Sequence, residues 1–153
     1  MLGDYPAASR SVLDAALSLC GVLVLLCCSS LAAREISVND FESLAEATKR
    51  VEAGDVIMLE PGLYLARDKV RTRNPGNAGA PIVVRARKPG TAVIQVNTPE
   101  AFFVSAPHWH FEGLVIDGRC ADHSACEHAF HIVGRADRVQ VRQNYLANFN
   151  AHI

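Results

Sequence analysis

The sequence predicts an all-β solenoid, a parallel β-helix preceded by one amphipathic α-helix. Three observations carry that expectation. Beyond Gly54 the apolar runs are short, mostly three to six residues, and turn signals separate them with no second helical period between. Two pairs of runs recur at offsets of 28 and 30 residues. One stretch of helical periodicity, with its own cap, stands ahead of the first run. Charge adds an exclusion, since 15 Lys and Arg balance 16 Asp and Glu in 153 residues. Half of the chain is apolar, which argues against disorder. The balance also provides no basic footprint for nucleic acid.

The chain opens on a targeting segment. Ala15 to Ala33 carry no charge, follow Arg10, and end in small residues from Ser30 onward. That layout is a secretory signal, so residues 1–33 are expected to be a signal peptide and 34–153 the exported domain. The alternative is an uncleaved membrane anchor, because this stretch at 1.5 Å rise reaches about 28 Å, near one bilayer core. The expected location is therefore secreted or periplasmic, or membrane-anchored through this segment alone. Asp4, Arg10 and Asp14 lie in it, leaving 14 basic and 14 acidic side chains downstream. Three of the five cysteines lie in it as well, so Cys120 and Cys126 remain as a pair. In an exported chain that pair is expected to form a disulfide that shapes one short loop.

Asn39 to Val51 is the expected helix. Asp40 is placed to cap it, and Phe41, Leu44, Ala45, Ala47, Thr48 and Val51 fall on one stripe. Gly54 stands where it should end. Strands are then expected at 55–59, 81–86, 91–96, 102–105, 109–117, 130–133, 139–142 and 145–146. Between the first two lies a polar stretch, Arg67 to Ala80, with the turn Asn74-Pro75-Gly76-Asn77. Ala101-Phe102-Phe103-Val104 matches Ala129-Phe130-His131-Ile132, and the run from Trp109 to Ile116 matches that from Val139 to Leu146. Repeats of this size stack on one another, because none can bury its own apolar face. Without the loop Arg119–Glu127 the unit is about twenty residues, enough for three short strands and three bends. Expected core residues are Val56, Ile57, Leu59, Ile82, Val84, Ile94, Phe102, Val104, Phe111, Leu114, Ile116, Ile132, Val139 and Val141. Gly62, Gly90, Gly113 and Gly118 stand at expected sharp bends. Asn144 directly follows a strand, where Asn tolerates a left-handed bend and can bond neighbouring backbone.

The segment Ala53-Gly54-Asp55-Val56-Ile57-Met58-Leu59-Glu60-Pro61-Gly62-Leu63-Tyr64, behind its capped helix, resembles the opening of right-handed parallel β-helix proteins. The likeness is to pectate-lyase-like enzymes, and especially the chondroitinase B and alginate lyase group. Gly79 to Ala86, Pro89 to Ile94 and Phe111 to Gly118 are similar to that group's following strands. The resemblance implies a right-handed solenoid whose open end the helix caps, with ladders of stacked Asn between coils. It also implies a calcium ion held by Asn and Glu, with Lys and Arg as catalytic residues on central coils. None of those residues maps onto this chain, so calcium is expected from resemblance only and the catalytic residues are unknown. The sequence stops in what would be the third coil, and it is expected to be the N-terminal portion of a longer, truncated protein.

Few residues are placed to carry chemistry. Cys120-Ala121-Asp122-His123-Ser124-Ala125-Cys126-Glu127-His128, with His131 beyond, holds two Cys and three His. Thiolate and imidazole could bind zinc, but the spacing is not a recognised one, and no metal site is assigned. His128 and His131, three apart on a strand, are expected on opposite faces. The stapled loop either lines a carbohydrate groove, through His123 and His128, or is a plain surface loop. Arg67, Lys69, Arg71 and Arg73 either meet an acidic polysaccharide by charge-assisted bonds, with Arg71 and Arg73 foremost, or form a solvated loop. His108 and His110 should share a face, with Trp109 opposite, either packed inside or exposed to stack on a sugar. Two functions follow. One is an exported protein that binds or processes an acidic polysaccharide in the manner of polysaccharide lyases. The other is a non-catalytic β-helix that binds or supports a partner, or an inactive fragment of a longer enzyme.

Overall fold

The computed structural model describes residues 33–153. The expected signal segment therefore lies outside the described residues, Ala33 excepted. The helix α1 runs Phe41–Arg50, shorter at both ends than its periodicity, because Asp40 and Val51 hold extended backbone as its caps. Asp40 accepts from the Ser43 amide while the Ser43 hydroxyl accepts from the Asp40 amide, a reciprocal capping box. Leu44 and Val51 are wholly buried, with Ala47 and Thr48 beside them. No helix among the described residues is long and apolar enough to cross a membrane.

Twelve strands follow a coil. They are β1 Glu35–Val38, β2 Val56–Leu59, β3 Gly62–Ala66, β4 Val70–Thr72, β5 Ile82–Ala86, β6 Ala92–Val96, β7 Glu100–Val104, β8 Trp109–Glu112, β9 Val115–Gly118, β10 His128–Ile132, β11 Gln140–Arg142 and β12 Tyr145–Ala147. They build three parallel sheets, ordered β1-β2-β5-β8-β11, β3-β6-β9-β12 and β4-β7-β10. Three coils, β2-β3-β4, β5-β6-β7 and β8-β9-β10, each give one strand to every sheet, with β1 ahead of them and β11 and β12 after, so the solenoid makes about three turns. The repeats seen in the sequence are these ladders. Phe130 pairs with Phe102, Val141 with Phe111 and Leu146 with Ile116.

Three strands were not expected. β1 has only two apolar residues among four, β3 starts directly at the turn signal Glu60-Pro61-Gly62, and β4 sits inside the stretch predicted to be a polar loop. In β4 the side chains alternate, with Val70 and Thr72 buried and Arg71 exposed. Three residues show too little of that period to be found among charges. The expected strand over 109–117 is two, broken where Gly113 turns with φ of 68°.

Side chains on the inner faces meet along the axis. Ile57, Val84 and Phe111 form one ladder, and Tyr64, Ile94 and Ile116 another, all essentially inaccessible. Phe102 stacks on Phe130 at 5.1 Å, and Phe111 closes on Phe130 at 4.9 Å. Trp109 is wholly buried and donates its indole N–H to the Asn74 carbonyl at 2.8 Å, so it packs the core rather than offering a sugar platform. The buried Tyr64 hydroxyl lies 2.8 Å from the Val38 carbonyl, and burial pushes its pKa up to about 12. Four expected core residues are only half-buried. Val56 faces away from inward Ile57, and Ile132, Val139 and Val141 lie in the last described coil, where no further strand covers them.

Asn144 bonds the preceding coil as expected, accepting from the Leu114 amide at 2.8 Å and donating to the Phe111 carbonyl at 2.9 Å. The left-handed bends fall instead on Gln143 and Asn148. Asn148 donates to Asp117 at 2.6 Å rather than joining a ladder of Asn side chains. Gly118 is needed for space and not for its φ, because a Cβ there would stand 2.2 Å from the Asn148 carbonyl oxygen.

Candidate functional site

The outer face of the β4-β7-β10 sheet gathers the chemistry. Register alone lines up Arg71, Phe103 and His131 across the three strands, and sets Glu100 against His128. The Arg71 guanidinium lies over the Phe103 ring at 5.1 Å, and the His131 ring meets the same ring edge-on at 5.4 Å. Lys69 Nζ stands 5.4 Å from that ring centre and donates to Glu100 Oε2 at 2.5 Å. The other carboxylate oxygen, Oε1, is 2.5 Å from His131 Nδ1. Glu100 is buried, which works against its charge. The Lys69 and His131 contacts outweigh that burial and hold its carboxyl below the usual range.

His128 and His131 share this face, contrary to the expected opposition. Their rings stack at 5.0 Å and 17°. Strict alternation fails at the same place in both coils, where Ala101 and Phe102, and likewise Ala129 and Phe130, are buried as adjacent pairs. Each buried pair leaves outward neighbours three residues apart. One ligand atom from each of Glu100, His128 and His131 lies within 4.8 Å of the others. His128 Nδ1 is buried with no hydrogen-bond partner among the described residues. One carboxylate and two imidazoles do not form the all-oxygen cage that calcium takes, so this cluster does not fit the calcium that the resemblance implied.

The other expected residues divide. Arg73 is exposed and lies with Arg71, Lys69 and Lys49 along a cleft of ≈ 240 Å³ between α1 and β4, against the single acid Asp68. Neither Arg71 nor Arg73 has an ion-pair partner among the described residues, whereas Lys69 is tied to Glu100 and Lys49 to Glu46. Cys120 and Cys126 form the expected disulfide, with Cα atoms 5.6 Å apart, which removes the thiolate-zinc alternative. The buried Cys126 fixes the loop to the solenoid, and the Glu127 and His128 amides both donate to the Pro99 carbonyl. This closure is what sets His128 beside Glu100. His123 begins a 3₁₀ turn, His123–Ala125, and its side chain lies outside what is described. His108 and His110 do share a face, in a second hollow with Arg138, and burial lowers the His110 pKa.

Glu100, Lys69, Phe103 and His131 were not picked out from sequence as one site. The signal was present in the repeat at offset 28, which already aligns Phe103 with His131 and, one step outward, Glu100 with His128.

No family model and no curated protein matches the chain. Solved structures do match. A point variant of the PL6 family alginate lyase AlyGC superposes with a TM-score of 0.59 over 73% of this chain at 22% identity. The unmodified AlyGC structure gives 0.59 over 76% at 20% identity. The fold is that of the PL6 lyase β-helix. It is right-handed and parallel, as the opening segment implied. The chain spans only 15% and 16% of those PL6 lyase chains, and at this identity the likeness to PL6 lyases is one of fold.

Proposed function

We propose that this chain is an exported β-helix protein that binds an acidic polysaccharide across the cleft between α1 and β4 and the face beside it, in the manner of polysaccharide lyases. The observation that carries the reading is the pair of unpaired guanidinium groups, Arg71 and Arg73, one of them laid over an aromatic ring. A uronic-acid polymer offers a carboxylate on each sugar, which a guanidinium grips with two parallel hydrogen bonds. Phe103 and His131 add an apolar and polar surface beside those charges, with His128 stacked on His131 at the start of the same strand, and the stapled loop that carries His123 leads into that strand. The match to alginate lyases supports the substrate class, and the apolar N-terminal segment supports export.

A second reading, binding without turnover, has an observation of its own. Both Lys side chains at the cleft are already paired among the described residues, Lys69 with Glu100 and Lys49 with Glu46, and neither is poised to take a proton from the sugar. Incubation of the full chain with alginate, chondroitin and pectate, with and without calcium, separates the two. Ultraviolet absorbance from an unsaturated product would establish lyase action. Retardation in an alginate-containing gel with no product would establish binding alone. Neither product nor retardation with any of the three polymers would overturn the proposal.

A further inference from the structure

We propose that Glu100, His128 and His131 form a binding site for one divalent transition-metal cation of the zinc class, held by a carboxylate oxygen and two imidazole nitrogens. The site shares His128 and His131 with the proposed polysaccharide surface, but it does not depend on that reading and its test uses no polysaccharide.

Geometry is the first support. The three donors come from adjacent strands in fixed register, Glu100 from β7 and both histidines from β10. Tetrahedral zinc with bonds of about 2.0–2.1 Å sets its donors roughly 3.3 Å apart. The three ligand atoms now lie within 4.8 Å of one another, so they need close by no more than about 1.5 Å to hold one ion. Chemistry is the second. A neutral imidazole is the preferred nitrogen ligand for this class of metal, and one carboxylate with two imidazoles selects it over calcium or magnesium.

The third support is the pattern of contacts already made. Lys69 holds Oε2 of Glu100, while Oε1 faces the histidines and bonds His131 Nδ1 at 2.5 Å, a contact that a bound metal would replace. A carboxylate anchored through one oxygen presents the other in a fixed direction, as metal-binding carboxylates require. His128 Nδ1 is buried without a partner, and a buried ring nitrogen with nothing to bond is unusual unless a ligand completes it. Three protein donors leave a fourth position for water or an anion. The competing account is that Lys69, Glu100 and His131 are only an ionic tie between strands, with no affinity for metal.

The experiment titrates the full, untagged, metal-stripped chain with Zn²⁺ by calorimetry and with Co²⁺ by visible absorption. The expected result is one ion per chain, a Co²⁺ absorption band of low-coordinate nitrogen and oxygen ligation, and a melting point that rises with Zn²⁺. Glu100→Gln and His128→Ala should each weaken binding at least tenfold. His131→Phe is the most informative variant, because the coil before it already carries Phe103 at that ladder position. It should melt like the parent and lose the metal. His110→Ala, on a different sheet, should bind as the parent does. Absence of Zn²⁺ binding would overturn the proposal, as would binding unchanged in His131→Phe or binding lost in His110→Ala instead.

Discussion

On the outer face of the β1-β2-β5-β8-β11 sheet most charges are spent on one another, with Arg85 on β5 the exception among the described residues. Arg87, just past β5, donates to Glu60 at 2.8 and 2.9 Å, to Glu35 at 2.8 Å and to the Ser37 hydroxyl at 3.0 Å, and Arg142 pairs with Glu112. These ties run from strand to strand across the sheet. On the outer face of β4-β7-β10, Arg71 rests on Phe103 and Arg73 lines the cleft, neither with an ion pair among the described residues, and buried Glu100 is crowded by a Lys and two His. Similar side chains thus do two jobs. One face uses most of them to hold coils together, and the other leaves Arg71 and Arg73 without ion pairs among the described residues, beside an aromatic ring and a cleft. Surface ion pairs contribute little individually, so the difference should show in binding far more than in stability.

The test with the largest expected effect removes what both faces stand on. Phe130 lies beneath His131 and packs against Phe102 and Phe111. Phe130→Ala should cost about 3–5 kcal/mol, the usual range for a buried aromatic truncated to Ala. Thermal unfolding would read it. A loss under 1 kcal/mol would mean that the stack is not shared support for the two faces.

Next comes the contrast itself. Arg71→Ala combined with Arg73→Ala should weaken retention on alginate about tenfold or more, since each lost charge-assisted bond is worth about 1.5–3 kcal/mol at best before solvent screening. The melting point should hardly move. Arg87→Ala should do the reverse, with retention unchanged and a melting point lower by no more than a few degrees. If Arg87→Ala weakened retention as much as the double variant did, the division between the two faces would fail.

How far this was legible in the sequence follows from what each signal depends on. The solenoid was legible because its core positions repeat, and Phe102 with Phe130 or Phe111 with Val141 display the coil spacing along the chain itself. The disulfide was legible from the pairing of Cys120 with Cys126 once the apolar N-terminal stretch and its three cysteines are set aside. β4 was not, because two inward side chains among Arg and Lys make no visible period. The shared face of His128 and His131 was not either, because alternation predicts the opposite, and only the paired burial of Ala129 and Phe130 reverses it. Glu100 was silent for a simpler reason. It is the residue before an apolar run, a place where a solvated acid is ordinary, and its burial depends on Lys69 and His131 arriving from other coils.

The smallest expected effect concerns acid, and it sharpens the comparison at the level of single carboxylates. Hydrogen bonds from Arg87 and Ser37 hold the Glu60 carboxyl below its ordinary value of 4.5. Glu100 is lowered too, with Lys69 and His131 overcoming its burial. A carboxyl whose folded pKa lies below its unfolded one stabilises the fold at any pH above the unfolded value. That stabilisation fades as pH drops through the folded value. The parent should therefore lose stability from about pH 4.5 downward. Glu60→Gln should melt slightly lower than the parent at neutral pH, and the two curves should converge in acid. Salt separates the two acids. The Glu60 side chain is 33% exposed and Glu100 only 10%, so added salt should erase the Glu60 difference first while the Glu100→Gln difference persists. Melting points collected across pH at low and high salt measure both effects. A gap between the parent and Glu60→Gln that stays constant from neutral pH into acid would show that Glu60 acts by packing, and that the charges on the β1-β2-β5-β8-β11 face are not what binds its strands.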